Sequence, residues 1–142
     1  MTTRIDAFQQ TLAAEHAAIF VLGALGGRAS TLPPSPLRTG LDTAYSNHVE
    51  RRTQLRRMLT TDGSDPVAAE PAYRLPAPLT TSSQIAAEAL RVERACATTY
   101  AALVAATVDA ERRWAIDALV TTAVGEAAFG GRPEALPGLG TT

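Results

Sequence analysis

Lysine is absent from this chain of 142 residues, so all 13 of its basic side chains are arginine. Neither a Schiff-base amine nor the lysine of a phosphate-binding loop is therefore available. A single cysteine, Cys96, excludes an intrachain disulfide and a multi-cysteine zinc site. Aromatic residues are scarce, with three Phe, three Tyr and one Trp against 28 alanines, a balance that favours helices over sheets. Charge of neither sign dominates; the net value of −1 argues against general binding to nucleic acid or to an anionic membrane. Long apolar runs are missing too: Ala17 to Leu25 is far short of the roughly 20 residues a membrane span needs. The opening MTTRIDAFQQ has no basic stretch leading into an apolar one, so a cytoplasmic protein is expected. There is no glycine-rich phosphate loop, no Ser-His-Asp order and no nucleophile elbow.

What is present is apolar and periodic. Hydrophobic residues make up 46% of the chain, enough for a real core. Four segments read as helices. The first spans about Arg4 to Gly26, opened by a Thr3/Asp6 capping box and stopped by Gly26-Gly27. The second spans Pro36 to Thr60, with Ser35 as its N-cap and an inner stripe of Leu37, Leu41, Tyr45, His48, Arg52, Leu55 and Leu59. The third spans Ser82 to Thr107 behind a Thr81/Gln84 capping box. The fourth spans Ala110 to Phe129, capped by Asp109, with a stripe of Ile116, Leu119, Ala123 and Ala127.

Loop lengths set the topology. Short links join helices one and two, and helices three and four, so each pair is an antiparallel hairpin. Between the hairpins lie 18 residues, Asp62 to Leu79, broken by Gly63, Pro66, Pro71, Pro76 and Pro78. Such a segment can reach about 60 Å when extended, more than the roughly 37 Å of a 25-residue helix. It therefore predicts a crossover along the bundle, giving an all-α, up-down-down-up four-helix bundle over residues 1–132. Residues 133–142 form a Pro/Gly-rich tail that reads either as a frayed end or, through Leu136 and Leu139, as a docked segment.

Polar residues interrupt the apolar rows. Glu15 falls inside Ile5, Phe8, Leu12, Ile19 and Leu22, and Glu93 inside Ala86, Leu90, Ala97, Tyr100 and Val104. His48 lies between Tyr45 and Arg52, and Glu126 follows Ala123. Each helix thus points one ionisable group at a shared interior. The spacing Glu15 to His48 is 33 residues and so is Glu93 to Glu126, the pattern of a duplicated hairpin. The run NHVERRTQLRR reads as a solvated face, Cys96 as an inert core thiol, Trp114 as packing or a dimer contact, and His16 as a surface or helix-interface residue.

With the topology and these glutamates the chain resembles the ferritin-like superfamily of carboxylate-bridged dimetal proteins. It looks similar to the small uncharacterised bacterial ferritin-like domains, whose helix-one AAEHAA segment matches Leu12 to Ala18 here. The resemblance runs from about Thr3 to Gly130. It implies a site built from a lone Glu on each of two helices and a Glu-x-x-His pair on each of the other two. Glu15 and Glu93 match the lone glutamates and His48 the first histidine, but its glutamate partner position holds Tyr45. Glu126 stands where the second histidine belongs, with Ala123 where that histidine's glutamate belongs. The expectation is a degenerate metal centre of Glu15, His48, Glu93 and Glu126 whose charges satisfy one another, in a non-catalytic structural or interaction module that forms a homodimer. The alternative is an oxidoreductase holding iron or manganese on the inner glutamates.

Overall fold

The computed structural model describes residues 2–140; Thr141 and Thr142 at the end of the expected tail lie outside them. Four α-helices run in order: α1 Arg4–Ala29, α2 Pro36–Thr61, α3 Ser82–Ala106 and α4 Asp109–Gly125, followed by a 3-10 turn, Glu126–Phe129. The first three start where the sequence supplies caps. In α1 the Thr3 hydroxyl accepts from the Asp6 amide at 3.1 Å while the Asp6 carboxylate accepts from the Thr3 amide at 3.1 Å. Thr81 and Gln84 do the same for α3, and Ser35 with Pro36 opens α2.

Arg4 fixes one end of the bundle by bonding Glu111 at the start of α4 and Asp62 just after α2. The N-terminal half of α1 packs against the C-terminal halves of α2 and α3: Ala7, Phe8 and Leu12 cluster with Leu55, Leu59, Leu103 and Ala115. Its C-terminal half, Val21, Leu22 and Leu25, clusters with Leu41, Ala44, Ile85 and Ala89. Helices α2 and α3 are therefore both antiparallel to α1, and the order is up, down, down, up. The crossover climbs the outside of α1. Gln9 bonds Asp65 and Val67, His16 bonds the Val67 carbonyl at 3.0 Å, and Phe20 meets Tyr73 with ring centroids 5.4 Å apart. His16, read as a surface or interface residue, thus holds the crossover to α1. Helix α1 packs along α2 and α3, and α3 along α4, but α2 and α4 barely touch, so the fourth side of the bundle is open.

Several local expectations are corrected. Helix α1 runs through Gly26 and Gly27 to Ala29, because buried Leu25 and Ala29 keep the last turn on the core. On α2 the inner residues are Leu41, Ala44, His48, Arg51, Leu55 and Leu59, whereas Tyr45 is 40% exposed and Arg52 is only partly covered. Both registers keep helical spacing; Tyr45 instead lays its ring beside Gly23 of α1. One arginine of the run read as solvated therefore points inward. Asp109 does not cap α4: Val108 holds that position without a side-chain bond, and Asp109 is the first helical residue at φ +49°. The inner face of α4 is Ala115, Ala118 and Thr122; Ile116 is exposed, Ala127 lies outward on the 3-10 turn, and Trp114 packs inward with its indole bonded to Gln54.

The tail docks, but not through its leucines. Leu136 and Leu139 are about two-thirds exposed, at 65% and 66%. Gly138, at φ +78°, lies so close to α3 that an added Cβ would stand 2.3 Å from the Ala97 carbonyl oxygen. Gly138→Ala should release the tail, losing about 1–2 kcal/mol of stability and exposing residues 131–140 to limited proteolysis. An unchanged melt and cleavage pattern would contradict the docking.

Candidate functional site

A polar layer divides the two apolar clusters. It is built from Glu15 on α1, His48 and Arg51 on α2, Glu93 and Tyr100 on α3 and Thr122 on α4, all buried. Each lies one turn from apolar neighbours of its own helix, so the helical period that builds the core also aims these groups inward. Histidine is the centre. Nδ1 of His48 is 2.6 Å from Glu15 Oε2 and Nε2 is 3.0 Å from Glu93 Oε1. The other oxygen of Glu15 accepts from the Tyr100 hydroxyl. Arg51 donates from Nη1 to Tyr100 Oη at 3.2 Å and to Thr122 Oγ1 at 2.8 Å, with its guanidinium over the Tyr100 ring. No fully enclosed side-chain nitrogen or oxygen among the described residues lacks a partner.

Three of the four expected residues therefore converge: Glu15, His48 and Glu93. Glu126 is buried but turns away, accepting from Arg94 at 3.3 Å on the outer side of α3. It stands on the 3-10 turn that follows α4, four residues after the buried Thr122, and not on the row of Leu119 and Ala123. Burial raises its pKa, against the lowering effect of Arg94 and with help from the nearby Glu134 and Glu93 charges. Neither Tyr45 nor Arg52 joins the layer; Arg51 and Tyr100 do. Arg51 was legible only as one of two equivalent registers, and Thr122 carries no sequence signal at all. Cys96 is a neighbour: one ligand atom each of Glu15, His48 and Cys96 lie within 4.8 Å of one another. Its thiol stays protonated, since burial and the two glutamates push its pKa well above the ordinary value.

Burial alone would lower the His48 pKa, but the bonds to Glu15 and Glu93 and their charges outweigh it, raising the value from 6.5 to about 9. As an imidazolium His48 donates from both nitrogens at once, which a neutral ring cannot do. Tyr100 titrates well above its usual range because it is buried beside Glu15, so its hydroxyl remains a donor.

A four-helix bundle with a charged, hydrogen-bonded layer across its middle is the class of protein that fold and site define. The chain belongs to a family described as a domain of unknown function, DUF4439, which matches residues 7–141. It is similar to the crystal structure of a conserved hypothetical protein from Mycobacterium tuberculosis, with 29% identity over 89% of this chain and 87% of that one and a TM-score of 0.79. No curated protein matches it.

A histidine whose pKa is higher folded than unfolded stabilises fully below about 6.5, and that contribution is lost as pH rises toward about 9. Urea unfolding across this window should show stability falling by about 3 kcal/mol, and His48→Asn should flatten the slope. Tyr100→Phe should cost about 1–3 kcal/mol by leaving Glu15 and Arg51 each short of a partner. A pH-independent stability of the wild type would contradict the charged bridge.

Proposed function

We propose that the chain is a ferritin-like bundle whose dimetal centre has degenerated, leaving a non-catalytic structural or interaction module in which protein cations stand where metal ions would. The observation that carries this reading is the pair of hydrogen bonds made by the two ring nitrogens of His48. Both ring nitrogens face carboxylates, so no lone pair is free to ligate a metal while the bridge holds. The cation between the two carboxylates is His48 itself, held by Glu15 on one nitrogen and Glu93 on the other. The bundle topology and the inward glutamates of α1 and α3 support the ferritin-like assignment. The donor set does not suit a pair of ions: Tyr45 and Ala123 stand where two carboxylates belong, and Glu126 is bonded to Arg94. Cytoplasmic residence and a homodimer belong to the same proposal. In support of the dimer, α4 presents Ile116, Val120 and Val124 to solvent at four-residue intervals. No helix among the described residues is long and apolar enough to cross a membrane.

Protein purified without a metal-binding tag should carry far less than one equivalent of iron or manganese, and adding either should leave its melting temperature unchanged. A ligand at 100 times its dissociation constant would add roughly 2.7 kcal/mol, which a melt detects. Glu15→Ala should cost about 3–5 kcal/mol, with or without metal. Stoichiometric iron or manganese that is lost in Glu15→Ala or Glu93→Ala would establish the metal-binding oxidoreductase instead. Sedimentation at two concentrations tests the dimer, which Val120→Glu on the α4 stripe should dissociate.

A further inference from the structure

The open side of the bundle, between α2 and α4, is a cleft of about 490 Å³. On α2 its lining follows successive turns from Pro36 to Arg51, which is roughly 22 Å at the rise of a helix. The cleft is therefore elongated. Gly40, Ala44, Ala128 and Phe129 make its walls apolar, and Thr39, Thr43, Asn47 and Thr121 place hydroxyls and an amide along it.

Arg51 lies at one end. It is only 7% exposed, and no carboxylate among the described residues pairs with it within salt-bridge distance. Its Nη1 serves Tyr100 and Thr122, but Nε and Nη2 have no acceptor among the described residues. No unpartnered side-chain nitrogen of the described residues is fully enclosed, so these two atoms keep contact with the space outside the protein. Arg51 lines this cleft and the shallower groove continuing toward Trp114 and Asp117, both between α2 and α4. Nε and Nη2 form the edge of a guanidinium that receives a carboxylate through two parallel hydrogen bonds.

We propose that the cleft binds a small molecule with a carboxylate head and an elongated apolar body, the head on Nε and Nη2 of Arg51 and the body along Ala44, Gly40 and Phe129. A singly charged carboxylate fits better than a phosphate. Among the described residues Arg51 is the only arginine lining the cleft, the imidazole of His48 is already bonded to two glutamates, and Glu93 shares the lining and repels a second negative charge. The volume falls in the range of small-molecule sites. The inference goes beyond the metal-free reading of the polar layer and does not rest on it, because Arg51 bonds neither Glu15 nor Glu93 directly.

Calorimetric titration of the full chain with decanoate, decan-1-ol and butanoate tests this. Decanoate should bind saturably, one per chain, with the alcohol, which lacks the charge, and butanoate, which lacks the body, at least about tenfold weaker. Arg51→Gln should bring decanoate down to the level of the alcohol. Because Arg51 also supports the core, a second variant is needed. Gly125 lines the cleft and a Cβ there meets nothing within 4 Å, so Gly125→Leu should fill the space, keep the fold and weaken decanoate by at least about tenfold. Absence of saturable heat with decanoate, equal affinity for decan-1-ol, or undiminished binding in a folded Gly125→Leu protein would overturn the proposal. Metal content, measured on the same preparation, reports separately on the polar layer.

Discussion

One imidazole joins three helices. With Nδ1 on Glu15 of α1 and Nε2 on Glu93 of α3, His48 fixes where α2 stands along both neighbours. Sliding any of them by one turn would carry a carboxylate or a ring into the hydrocarbon layers above and below, where an unpaired charge is heavily penalised. The leucine clusters would tolerate such a slide far better, since Leu12, Leu22 and Leu25 on α1 are nearly equivalent knobs. The apolar layers supply most of the driving force for folding. The polar layer selects one register from those they allow. Tyr100, Arg51 and Thr122 extend the same network to the fourth helix, which α2 hardly touches otherwise.

The main lines of this arrangement were legible in the sequence because they rest on strong local rules. Capping boxes and breakers mark the helix starts, and an 18-residue proline-rich link between long helices has few places to go other than along the bundle. Glu15, His48 and Glu93 stand out because an ionisable group in the middle of an apolar row must meet a partner. The failures also have physical causes. Tyr45/Arg52 and Ala44/Arg51 satisfy the same three-and-four spacing, and composition favours the wrong pair, placing the larger apolar ring inside. The stripe of α4 was misplaced by one position for the same reason: small Ala115 and Ala118 face the core while Ile116 faces out. Gly26 and Gly27 look like a stop signal, yet packing of Ala29 overrides their local preference. Gly138 gives no sign in the sequence that it permits a backbone contact with α3.

Layer and cleft share residues but divide the work. Both ring nitrogens of His48 are taken up by Glu15 and Glu93. The gap between α2 and α4 borders open space, and there Arg51 keeps donors with no acceptor among the described residues. The fixed charge layer thus forms the floor of the open side.

His48 bridges two carboxylates with a proton on each ring nitrogen. Nitrogen-15 NMR of the imidazole reads this directly, because protonated and bare ring nitrogens differ widely in chemical shift. At neutral pH, in buffer containing manganese or iron, the account predicts that both nitrogens of His48 carry protons, that their signals persist, and that they remain so until pH approaches about 9. One bare nitrogen at neutral pH, or loss of the signals when the metal is added, would contradict it.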